Sequence, residues 1–253
     1  MTSAAPETHP VVSRAEWARA REVLLRKEKD LTRLRDELNR QRLELPRVRV
    51  EKNYEFDGHQ GKQSLDSLFD GRSQLIIYHF MFWPGWKEGC VGCSFLSEST
   101  DAARIHLEHH DVSLAVIPRA PLSEIEPFKQ RMGWRFPWLS SNDTDFNYDF
   151  HASNATEEIS GASAFFKNSS DEIFHTYSTY GRGSEQFITA YQHLDIAPLG
   201  RNETGPHHNL IEWVRHHDRY NSGGSVGTNG RYIPEPEPQV AVSKSEACCE
   251  SHK

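Results

Sequence analysis

No apolar stretch in this chain reaches the roughly 18 residues of a membrane-spanning helix; the longest, Leu75 to Trp83, is interrupted by His79. The amino terminus, Met1-Thr-Ser-Ala-Ala-Pro-Glu7, lacks the basic start and apolar core of a secretion signal, so the expected location is cytoplasmic. An excess of positive charge is also missing. With 29 basic and 36 acidic residues the net charge is −7, which argues against a general nucleic-acid binder. Cysteine is scarce as well: four in 253 residues cannot make a disulfide scaffold. Two of them form a C-x-x-C at Cys90 and Cys93, which in an intracellular chain points to redox chemistry or metal binding. The other two, Cys248 and Cys249, adjoin each other near the carboxyl terminus.

Four segments are legible. Residues 1–12 form a polar arm without periodicity. Residues 13–46 read as one long helix, begun by the capping box Ser13-Arg-Ala-Glu16 and stopped by Pro46. Leu24, Leu31, Leu38 and Leu45 recur every seven positions, a narrow apolar stripe suited to docking on the chain's own domain or to self-association. Its Arg and Lys alternate with Glu and Asp, the pattern of a solvated face. Residues 47–220 alternate strand and helix signals, an α/β arrangement with at least one parallel strand pair. Residues 221–253 are rich in Gly, Ser, Pro and Glu and read as a disordered tail.

Chemistry concentrates where the buried strand Leu75–Phe82 gives way to an aromatic loop, Trp83-Pro-Gly-Trp86, and then to Gly89-Cys90-Val-Gly-Cys93 opening a helix. Free N–H groups and the positive end of a helix stabilise a thiolate, so Cys90 is expected to be exposed there and to ionise below the ordinary thiol value. Cys93, one turn later, is placed to attack a mixed disulfide formed on Cys90.

The motifs Tyr78-His-Phe-Met-Phe82, Cys90-Val-Gly-Cys-Ser-Phe95, Arg131-Met-Gly-Trp134, Asp145-Phe-Asn-Tyr-Asp-Phe150 and His175-Thr-Tyr-Ser-Thr-Tyr180 make the chain similar to the thioredoxin-like family catalogued as domain of unknown function 899. The resemblance runs from about Val11 to Tyr220. It implies a thioredoxin-like fold, a central mixed sheet flanked by helices, and a dithiol–disulfide oxidoreductase needing no organic cofactor. The substrate would be a small-molecule or protein disulfide, and the long helix predicts a homo-oligomer. Two departures from thioredoxin stand out. No proline lies between Phe150 and Pro198, so Ala162 or Ser163 is expected where thioredoxins place a cis-proline. The dipeptide between the cysteines is Val-Gly, so thioredoxin's potential does not transfer.

Other side chains support rival readings. His79, on the strand leading to the cysteines, is a candidate for proton transfer or a hydrogen-bonded core histidine. Trp83, Trp86 and Trp134, with Arg119 for an anionic group, are candidates for a substrate pocket, or else pack in the core. On that basis the fold serves a non-redox role toward a small aromatic molecule. A third reading is a metal- or partner-binding module using the cysteines, the histidines and the long helix, although about 16 helical residues at 1.5 Å each set Cys93 too far from His109 for a common ion. The run Asp143-x-Asp145-x-Asn147-x-Asp149 imitates a calcium loop but lacks its glycine and its terminal glutamate.

Overall fold

The computed structural model describes residues 9–236. Helix α1 (Arg14–Leu43) starts at the predicted capping box: the Ser13 hydroxyl accepts the Glu16 N–H at 3.3 Å, and the Glu16 carboxylate accepts the Ser13 N–H at 2.9 Å. It ends short of Leu45 because the residue before Pro46 avoids helical dihedrals. Pairs such as Arg33–Asp30 and Arg40–Glu37 lace its surface, and none of its residues is buried. The leucine stripe therefore does not dock on its own domain. Only the carboxyl-terminal end meets the sheet, where Arg42 lies over the Tyr177 ring and Arg47 over Phe166.

The sheet-forming region comprises β1 (Val48–Arg49), a hairpin of β2 (Glu55–Gly58) and β3 (Gly61–Ser64), and the central strand β4 (Gln74–His79). Helices α2 (Val91–Ser97) and α3 (Thr100–Glu108) cross over to β5 (Val112–Val116), and α4 (Leu122–Met132) and the short α5 (Phe146–Asp149) lead to β6 (Gly161–Lys167) and β7 (Ile173–Tyr180). Strand order is β1-β7-β6-β4-β5; β4 and β5 are parallel, and the other pairs are antiparallel. A parallel pair needs a long crossover, which α2 and α3 supply. This arrangement, with the C-x-x-C at the end of β4, is a thioredoxin-like fold carrying a long amino-terminal helix.

Both faces of β4 are covered, as its continuous apolar run requires. Tyr78, Phe80 and Phe82 belong with Cys90, Cys93, Phe128 and Trp138 in one core cluster, whereas Leu75 and Ile77 belong with Phe56, Phe146 and Phe165 in the other. Each such side chain withdrawn from water contributes about 1.5–3 kcal/mol.

The helix that Cys90 opens is interrupted at Glu98-Ser99, so α2 and α3 are separate. The aspartates of the calcium-like run serve a lysine: Lys52 Nζ lies 2.6 Å from Asp145 and 2.8 Å from Asp149. After α6 (Thr189–Leu194) the chain passes the dithiol and forms a small hairpin, β8 (Ser225–Val226) and β9 (Tyr232–Ile233). Residues 221–236, which composition assigns to a disordered tail, thus follow a defined path; Cys248 and Cys249 lie outside the described residues.

Candidate active site

Cys90 is the residue from which α2 starts, and Cys93 sits one turn in. Both are free thiols. The Cys90 N–H donates to the Met81 carbonyl at 3.0 Å, and the Met81 N–H donates to Cys93 Sγ at 3.4 Å, so the chain leaving β4 holds both cysteines. Gly89 makes the approach feasible, since a Cβ there would stand 2.4 Å from the Phe80 ring.

The two thiols are shifted in opposite directions. Hydrogen bonding from Cys93 holds the Cys90 thiol below its ordinary value, against the effect of burial and with help from the Cys93 and Gly92 backbone N–H groups. Burial, and then its role as donor, push Cys93 well above. The Tyr78 hydroxyl beside Cys93 offsets part of the rise at that sulfur, and burial keeps the phenol itself protonated.

Cys90 is not exposed as its helix-start position suggested: it is 6% accessible. The loop between β8 and β9 lies across it, and the Val91 N–H that would face solvent donates to the Gly230 carbonyl at 2.8 Å. The sulfur instead lines a cavity of about 330 Å³ with Tyr78, Met81, Cys93, Ile188, Tyr191 and Leu210.

The loop before Cys90 is fastened by ions. Glu88 meets Arg131 at 2.6 Å and Arg219 at 2.9 Å, and the buried His216 Nε2 donates to the Gly89 carbonyl at 3.0 Å. Hydrogen bonding from His216, then the Arg131 charge, overcome burial and lower the Glu88 carboxyl to about 2. Its negative charge is thus satisfied locally. His217 pairs with Glu98 at 2.8 Å, and no group of three or more His, Cys, Asp or Glu among the described residues is arranged to hold a metal ion.

The other candidates separate. Strand alternation puts His79 on the face opposite the dithiol, packed against Phe146 and Phe150 and bonded to Ser163 Oγ at 2.8 Å. Ser163 continues through Ser178 to His175, and desolvation lowers His79 to about 3, so it is a neutral core histidine remote from the sulfurs. Trp83 and Trp86 line a second cavity, about 370 Å³, with Met81, Glu158, Thr228 and Asn229. Trp134 does not join them; it stacks on Trp138 with ring centroids 5.5 Å apart. Arg119 lies over Trp83 at 3.9 Å and reaches Glu158 at 3.1 Å. Glu158, which composition gave no reason to select, is buried, accepts the Phe82 N–H at 2.9 Å and is raised by desolvation to about 7.

The place expected for Ala162 or Ser163 shifts by register. Ala162 pairs with Tyr78 and Gly161 with His79, so Ser160, just before β6, is the residue that lines the dithiol cavity. No peptide bond among the described residues is cis.

A family model described as a bacterial protein of unknown function (DUF899) matches residues 6–220. The chain belongs to this family. The DUF899 match includes α1 and the dithiol and stops before the β8–β9 hairpin. No curated protein matches the chain. Among solved structures, the peroxidoxin BcpB from Mycobacterium tuberculosis is similar at 10% identity and a TM-score of 0.43, covering 57% of this chain and 94% of its own. Peroxiredoxin Q from Xanthomonas campestris is similar at 11% identity and 0.40, covering 56% and 94%.

Proposed function

We propose that this DUF899 chain is a dithiol–disulfide oxidoreductase in which Cys90 attacks and Cys93 resolves. The observation that carries the reading is the pairing of a buried thiol donor, Cys93, with a sulfur at a helix start, Cys90, beside an open cavity. The Cys90 thiolate attacks one sulfur of a substrate disulfide; that S–S bond breaks, and the leaving thiolate takes a proton. Cys93 then gives up its proton and attacks Cys90, expelling the second substrate thiol and closing Cys90–Cys93. Two electrons pass from the dithiol to the substrate, and an external thiol restores the reduced protein. No organic cofactor enters. Loss of turnover in Cys90→Ser, with a trapped adduct in Cys93→Ser, is the test.

The same reading extends to assembly. Leu24, Leu31, Leu34 and Leu38 are all exposed on α1, and we propose that they pair with α1 of a second copy. Light scattering should give a full-length mass at least twice that of a chain lacking residues 1–45; equal masses per chain would remove this part of the proposal.

A further inference from the structure

The β8–β9 loop, Gly227 to Arg231, is a strap across the dithiol. It is internally braced: the Gly227 N–H donates to the Arg231 carbonyl at 2.9 Å, and the Gly230 N–H donates to the Gly227 carbonyl at 2.9 Å. It is also held from outside, with Arg231 over Trp86 at 5.1 Å and Arg219 over the Tyr232 ring at 5.5 Å. Gly230 has φ +79°, and a Cβ on it would stand 2.5 Å from Cys90 Sγ, so backbone rests directly on the sulfur. Thr228 and Asn229 line both cavities, which places the strap between them.

An extended protein segment presenting a disulfide needs the space over Cys90 and the free N–H beside it. Gly230 holds both. What remains open to the sulfur is the 330 Å³ cavity, walled by Tyr78, Leu96, Ile188, Tyr191 and Leu210 with Asn209 and Arg182 as polar groups. That volume lies near the lower end of the roughly 300–1,000 Å³ of small-molecule sites.

Resting on the dithiol reading above, we propose that Cys90 acts on low-molecular-weight organic disulfides that enter through this cavity, and that the strap excludes the disulfides of folded proteins. One substrate disulfide yields two free thiols as Cys90 and Cys93 become linked, so electrons and protons balance without another reactant. The strap lies beyond the residues matched to the family.

The test uses the reduced full-length chain in single turnover with hydroxyethyl disulfide and with insulin, reading thiol release. The small disulfide should react at least about 100-fold faster, the penalty expected if the strap is open about 1% of the time. Gly230→Ala, which drives a methyl against Cys90, should raise the insulin rate about tenfold or more by displacing the strap. Arg231→Ala, which only removes the contact with Trp86, should move the ratio the same way, and both should speed labelling of Cys90 by a bulky maleimide. Equal Cys90-dependent rates for the two substrates, or ratios and labelling unchanged in both variants, would overturn the strap proposal while leaving the dithiol reading intact. Thiol release from either substrate that survives Cys90→Ser would instead overturn the dithiol reading, and this one with it.

Discussion

Cys90→Ser is expected to lose disulfide turnover by at least about a thousandfold, because a serine hydroxyl does not ionise near neutral pH and, among the described residues, the remaining sulfur at the site, Cys93, is held protonated by burial. Cys93→Ser should behave differently. Its Cys90 still attacks, but the mixed disulfide has no resolving thiol, so the reaction stops after one half. Mass spectrometry after mixing with hydroxyethyl disulfide should find one adduct on Cys90 in Cys93→Ser and none at positions 90 or 93 in Cys90→Ser. Adducts on Cys93 with Cys90 untouched would reverse the assigned roles. The asymmetry follows from the site: Cys93 is 2% accessible against 6% for Cys90, accepts the Met81 N–H, and is pushed well above the ordinary thiol value by burial.

The second large effect concerns Glu158, whose charge is buried beside Arg119. In the unfolded chain its carboxyl titrates near the ordinary 4.5; in the folded chain burial raises it to about 7, despite Arg119 and the Phe82 N–H. Between those values the folded state holds a proton that the unfolded state has lost. The stability contributed by this group is therefore greatest at the acid end and declines as pH rises toward 7, by about 3 kcal/mol in all. Arg119→Ala removes the cation that, among the described residues, pairs with the carboxylate. At pH 8 the carboxyl left without Arg119 takes up a proton, so the variant should lose at most about 1.4 kcal/mol beyond its loss at pH 5, the limit that linkage sets one pH unit above a titration near 7. At pH 5, where the carboxyl is already protonated, only the packing of Arg119 on Trp83 and Tyr148 is lost. Urea unfolding at both pH values measures this, and adding Glu158→Gln should abolish the difference between them. A cost independent of pH would mean that Arg119 acts through packing alone.

The sequence made the scaffold legible wherever a local rule operated. Ser13 and Glu16 close the capping box as their spacing requires, Gly133 ends α4 with φ +68°, and the apolar run before the cysteines is the central strand. The C-x-x-C was found by spacing alone. Of the two readings of His79, strand parity selects the core histidine: the face of Cys93 belongs to Tyr78 and Phe80, and alternation sends His79 to the other side. Trp134 was grouped with Trp83 and Trp86 by composition, although only folding decides which aromatics reach a cavity. Glu158, Tyr78 and Gly230 carry no local signal at all. Glu158 acquires its character from desolvation, and Gly230 lies 140 positions from Cys90 in a stretch whose glycines suggest disorder. A glycine-rich segment reads identically whether it is free or must pass closely over a sulfur.

The central claim is that the Cys90 and Cys93 thiols are shifted in opposite directions, so that Cys90 is the ionised partner. The most direct measurement is the alkylation rate of each cysteine in the reduced full-length chain as a function of pH, resolved by peptide mapping. Cys90 should react with a midpoint below the ordinary thiol value of about 8.5 while Cys93 stays unreactive over the same range. A Cys90 midpoint at or above that value, or Cys93 reacting first, would contradict it.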